Sequence, residues 1–152
     1  MNRQITRGLA MLLVTLALAA ASAVVAHGQT PHRLRAQVPF DFVVGDKVLR
    51  AGEYQVNALN DSGNLIVIGN DDGDRAIRNS NSAQRRDKQL GAKLVFHRYG
   101  STYFLSQIWM PGQSNGRELP KSRQERAIER ELKAIASNSS AYEVVEVAAL
   151  AR

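Results

Sequence analysis

A mainly β domain with one C-terminal amphipathic helix packed on it is the fold class predicted by this 152-residue sequence. Three observations predict it. Apolar and polar residues alternate along "VPFDFVVGDKVLRAGEYQV", residues 38–56, and "KLVFHRYGSTYFLSQIWM", residues 93–110; period two is the spacing that turns one face of a strand to a core. Glycine-bearing turns interrupt these runs every few positions, which indicates a small antiparallel β-sandwich or partly open barrel rather than alternating strands and helices. Only "KSRQERAIERELKAIAS", residues 121–137, changes to a helical period.

The first residues concern location rather than fold. Arg3 and Arg7 precede an apolar stretch from Leu9 to about Ala21, broken only by Thr15, and small residues follow. A positive start, an apolar middle and a small-residue end make a secretory signal peptide, read here as residues 1–28 with cleavage near Ala26 or Gly28. The rival reading keeps Leu9–Ala26 as an uncleaved membrane anchor. Residues 29–152 then form one β-rich domain, exported to the periplasm or outside the cell. The chain has no cysteine, so packing and hydrogen bonds hold it together without disulfides or a cysteine zinc site.

The formal charge is +6, with 20 basic residues against 14 acidic ones. Losing Arg3 and Arg7 with the leader lowers it to +4, a mild excess. An exported chain rarely meets nucleic acid, so ordinary solubility is the first reading. A charged partner, if there is one, is an anionic cell-envelope polymer or lipid. A membrane partner in the integral sense is expected only if the leader stays attached.

Val38, Phe40 and Phe42 alternate with Pro39 and Asp41, and Pro39 sets this strand at an edge or an irregular start. Gly45-Asp46 and Ala51-Gly52 are turns around a short strand at Lys47–Leu49, and Tyr54 and Val56 resume the alternation. Asn64–Gly69, containing the apolar run Leu65–Ile68, forms the next strand. Residues 69–92 turn polar, with a short strand at Arg75–Arg78, and residues 79–91 read as an exposed loop. The 93–110 segment is a hairpin turning at Gly100-Ser101, glycine first. That register sets Arg98 opposite Tyr103 and Phe96 opposite Leu105. One face then carries Leu94, Phe96, Arg98, Tyr103, Leu105 and Gln107, and the other Val95, His97, Phe104, Ser106 and Ile108. Both faces are apolar enough to need cover, which makes the hairpin central. The helix is expected over 122–136. Ser122 and Glu125 have capping-box spacing, Ile128, Leu132 and Ile135 share one face, and Glu129 pairs with Lys133. Tyr142–Val147 reads as a final strand.

Few residues suggest chemistry. Asn70, Asp72 and Asp74 repeat the alternate spacing of a calcium loop, but Gly73 sits at the fourth position and Asn81 at the twelfth, where a glutamate is required. A solvated turn is the expectation, with no metal and no cofactor. His97, facing Phe104, reads as a packed and hydrogen-bonded histidine rather than a general base. The sequence contains no G-x-S-x-G elbow, phosphate loop or dinucleotide fingerprint. A non-enzymatic protein is therefore expected. The candidate ligand-binding residues are Arg98, Tyr103 and Trp109, since exposed aromatics stack on sugars and Arg98 over Tyr103 makes a cation–π pair.

"VPFDFVVGDKVLRAGEYQV", "KLVFHRYGSTYFLSQIW" and "GRELPKSRQER" together resemble a group of small exported proteins of unknown function common in Acidobacteria. The resemblance covers about residues 35–133. Members read Pro-Ala-Gly-Glu-Tyr where this chain has Arg50 in place of the proline, which leaves that turn less stiff. The resemblance implies export and a β-rich domain, and carries no activity or ligand. The leading reading is an exported non-catalytic β-domain that binds or scaffolds in the cell envelope, its partner an anionic envelope polymer or another envelope protein. The alternative is a sugar- or lipid-binding protein with a pocket between sheet and helix lined by Tyr103 and Trp109, and a hydrolase ranks behind both.

Overall fold

The computed structural model describes residues 33–60, 62–85, 91–135 and 141–151. Residues 1–28, expected to be a leader, lie outside them. The strands are β1 (Arg33–Val38), β2 (Phe42–Val44), β3 (Lys47–Leu49), β4 (Gly52–Ala58), β5 (Leu65–Gly69), β6 (Arg75–Asn79), β7 (Asn81–Gln84), β8 (Ala92–Tyr99), β9 (Thr102–Trp109), β10 (Asn115–Glu118) and β11 (Glu143–Ala151). One helix, α1 (Arg123–Ile135), lies between β10 and β11. The protein is mainly β, with a single helix among the described residues, as its residue pattern predicts.

The strands run in the order β3-β2-β9-β8-β11-β1-β4-β5-β6. Beyond β2, the same edge of β9 takes up β10, and β10 pairs with β7. Ser80 alone separates β6 from β7, and its amide donates to the Asn64 carbonyl at 2.7 Å. The sheet therefore runs from β9 around through β8, β11, β1, β4, β5, β6 and β7 to β10 and back to β9, a nearly closed barrel. All of these pairings are antiparallel; the parallel one is β2 on β9, through Val43 and Phe104. Near-closure leaves β3 and β6, both short, as ends of the strand order, which limits the open edge that could recruit other chains. The β2–β3 hairpin reaches across to β6, where Lys47 Nζ donates to the Arg75 carbonyl at 2.7 Å.

Alternation decides which side chains fill the barrel. Leu34, Ala36 and Val38 of β1, Tyr54 and Val56 of β4, Ile66 and Ile68 of β5, and Leu94 and Phe96 of β8 are buried together. Phe42 packs edge-on against both Tyr54 and Phe96, at 5.0 and 5.4 Å between ring centres. At the β8–β9 turn, Gly100 has φ +61 and no non-glycine residue has a positive φ among those described. A positive φ at the first central position alone is the primed turn whose twist suits a hairpin.

The structure corrects five expectations. Residues 39–41 are a turn between β1 and β2 rather than part of one strand, and β1 lies between β11 and β4 rather than at an edge. The register sets Arg98 opposite Tyr103 and Phe96 opposite Leu105, but a bulge lies beyond them: Val95 pairs with Gln107 and Leu94 with Ile108. Ser106 is the extra residue, and its carbonyl accepts from the Leu119 amide at 2.8 Å. Inward orientation consequently passes to Ile108, and Gln107 leaves the core face. Within the 79–91 segment, Asn81–Gln84 is a strand rather than loop, paired through its backbone to Asn115–Glu118 while its side chains stay mostly exposed. The last strand extends to Ala151 and sits between β8 and β1, so it is as central as the hairpin. Ile135 is 78% exposed and lies outside the helix's packed stripe.

Trp109, 1% exposed, is pressed against the backbone of β10: a Cβ on Gly116 would come within 2.6 Å of its ring. Gly116→Ala is expected to destabilise the fold by about 1–3 kcal/mol through overpacking. Urea unfolding followed by the fluorescence of Trp109, the one tryptophan of the chain, measures it.

Candidate functional site

The densest polar cluster among the described residues lies where α1 meets the outside of the barrel. Because Phe96 points inward, His97 and Tyr99 on β8 point outward, towards the helix. Ser122 starts the helix, and its Oγ accepts from the Glu125 amide at 3.0 Å. That is half of a capping box. The other half does not form; the Glu125 carboxylate instead faces the barrel, where Oε1 meets His97 Nδ1 at 2.9 Å and accepts from the Tyr99 hydroxyl at 3.3 Å. A carboxylate only accepts, so with Glu125 ionised the His97 Nδ1 carries the proton and donates it.

Apolar contacts frame this cluster. Ile128 and Leu132 of α1 pack against Val43, Tyr99 and Phe104, together with Tyr142 just before β11. The Tyr142 ring stacks on His97 with centres 4.0 Å apart, and Lys121 Nζ lies 5.1 Å from the same ring. Lys121 and Lys133 both grip Glu129, at 2.8 and 2.9 Å. Their hydrogen bonds hold the Glu129 carboxyl down at about 2, with their charges adding to the effect. Burial pushes the Tyr99 phenol well above its usual 10, and the neighbouring Glu125 charge pushes it the same way.

A carboxylate on one imidazole nitrogen is an arrangement that orients histidine for proton transfer or metal binding. Here the pair is enclosed: the His97 and Glu125 side chains are 11% and 5% exposed. Among the described residues no group of three or more His, Asp or Glu side chains converges as metal ligands would. What the arrangement visibly does is mechanical. It satisfies a buried carboxylate with two donors from β8 and so fastens the helix to the barrel wall.

The residues predicted to bind a ligand do not come together as a group. Arg98 and Tyr103 do meet, with the guanidinium 5.6 Å from the ring centre, but Phe40 stacks on that ring at 3.8 Å and Arg98 also pairs with Glu143 at 3.1 Å. Trp109 is at the opposite end of β9, buried, its Nε1 donating to Gln107 Oε1 at 3.0 Å. Tyr103 packs with the barrel interior while α1 lies outside, so the two aromatics do not line one space beneath the helix. The 70–74 segment is a turn between β5 and β6, in which the Asn70 side chain accepts from the Asp74 amide at 2.8 Å.

Glu125 is the residue that sequence reasoning missed. Its capping position explained it completely, although it lies three and seven residues before Ile128 and Leu132 and so shares their barrel-facing stripe. No protein-family model matches the chain, nor does any curated protein or solved structure.

Glu129 has a pH consequence. Its folded-state pKa lies below the unfolded 4.5, so its stabilisation is present above pH 4.5 and is lost as the pH falls towards about 2. Urea midpoints of the native protein and of Glu129→Gln, measured from neutral pH to about 2, should differ most at neutral pH and converge through that window.

Proposed function

We propose that this chain is an exported, non-catalytic β-domain with a binding or scaffolding role in the cell envelope, its partner an anionic envelope polymer, an anionic lipid or another envelope protein. One observation supports it most: the chemically promising groups are engaged in holding the fold. His97 and Tyr99 both bind Glu125 beneath α1, and Tyr103 stacks on Phe40 with Arg98 beside its ring. The barrel is filled by side chains such as Phe42, Tyr54 and Phe96, each at most 1% exposed, in the manner of small barrels that enclose no ligand. Recognition is therefore assigned to the outer surface. The leader pattern of residues 1–28 and the resemblance to small exported proteins support the location.

Fractionation of the host, with an intact mass on the recovered protein, tests this reading. A chain starting near His27 or Gln29 in the soluble exported fraction is the expected result. A full-length chain in the cytoplasm overturns export, and a full-length chain in the membrane fraction replaces cleavage with anchoring.

A further inference from the structure

The charges of the barrel are unevenly distributed between its ends. At one end lie the turns 39–41, 50–51, 70–74 and 100–101, where Asp41, Glu53, Asp71, Asp72, Asp74 and Glu143 outnumber Arg50, Arg75 and Arg98. The other end is formed by the start of β1, the end of β11 and the turns around 59–64 and 110–114; Asp61 is the acidic residue of these segments and lies outside the described residues. Arg33 opens β1 there. Arg117 is there too, its guanidinium donating to the Ser62 carbonyl and to Asn64 Oδ1.

This basic end also exposes large apolar side chains. Leu59 is 51% and Leu150 69% exposed. Strands β11, β1 and β4 are neighbours, and their ends carry Leu150, Arg33 and Leu59 respectively. Leu150 pairs with Arg35, and Arg33 with Asn57, so all three side chains belong to the outer face. Leu150 lies level with Gln55 of β4, four residues short of Leu59, so two strand spacings and this offset separate the leucines by about 16 Å. The 62–63 turn then links this row to Arg117.

We infer that this rim docks on an anionic lipid surface, the arginines on headgroups and Leu59 and Leu150 in the interface. Basic charge alone would suit a soluble polyanion equally well. The two leucines decide between them, because a dissolved polyanion offers no apolar layer to receive them, whereas the headgroup–acyl boundary does. The inference narrows the proposed envelope partner to a lipid surface and rests on that reading for its setting.

Flotation with vesicles tests it, using the protein in the processed form its host makes. Vesicles of phosphatidylglycerol mixed with phosphatidylethanolamine are compared with pure phosphatidylcholine at low and high salt. The expected result is flotation with the anionic vesicles at low salt, weakened by added salt. Leu59→Asp, Leu150→Asp and Arg33→Glu each reduce it several-fold, while Val48→Asp, an exposed position on the β2–β3 hairpin, leaves it unchanged. Trp109 fluorescence verifies that each variant is folded. Equal flotation with neutral vesicles, indifference to the rim variants, or no flotation at all overturns the inference. Retention on heparin that ignores the leucine variants, without flotation, reassigns the rim to a soluble polyanion. An exported protein that fails to float leaves the envelope reading standing, and a cytoplasmic one that floats removes it.

Discussion

Burial of the Glu125 carboxylate is the constraint that arranges the C-terminal third of the chain. A charge taken out of water must be met by donors or it is strongly destabilising. The two donors available, His97 Nδ1 and the Tyr99 hydroxyl, are both on the outer face of β8. The first turn of α1 is thereby held at one place on the barrel. Ile128 and Leu132 come down with it onto Val43, Tyr99 and Phe104. Tyr142 returns the chain to the same spot by stacking on His97, and β11 begins one residue later. The strand that joins β8 to β1 thus starts from the helix's anchor point.

Closure of the sheet depends on that strand. β11 is paired along both sides, from Glu143 opposite Arg98 to Ala151 opposite Leu34. Across the barrel, the circuit closes through β7 and β10, short strands that bury little side chain and are held by their backbone pairing. The bulge at Ser106 fits the two halves together. It turns Ile108 inward, sends Trp109 outward against Gly116, and frees a carbonyl for Leu119 just before the helix. Side chains that looked available for recognition are used up by these junctions.

The legible part of this fold is the part written in side-chain periodicity. The alternation of Leu34, Ala36 and Val38, and of Tyr54 and Val56, reports strands with one buried face. The Gly100 turn is readable because one residue type suits its backbone, and α1 because Ser122 marks its start. Where backbone pairing does the work, the pattern is silent. Asn81–Gln84 buries almost nothing, so no spacing distinguishes it from loop. A bulge inserts one residue without changing composition, so Gln107 and Ile108 exchange faces invisibly. In the candidate site, His97 reads correctly as packed and hydrogen-bonded, but its partner is concealed by a second role that already accounts for a glutamate three residues after a serine. Arg98 and Tyr103 are adjacent as the register requires, whereas the cover from Phe40 comes from a loop no local pattern connects to them.

Native-state hydrogen exchange on Glu125→Ala tests most directly whether this carboxylate fastens the C-terminal elements. The account predicts that amides of α1 and β11 lose far more protection than those of β4 and β5, because the helix and the closing strand come away in a local opening of a still-folded sheet. An equal loss across all strands, or unchanged protection in α1, would contradict it.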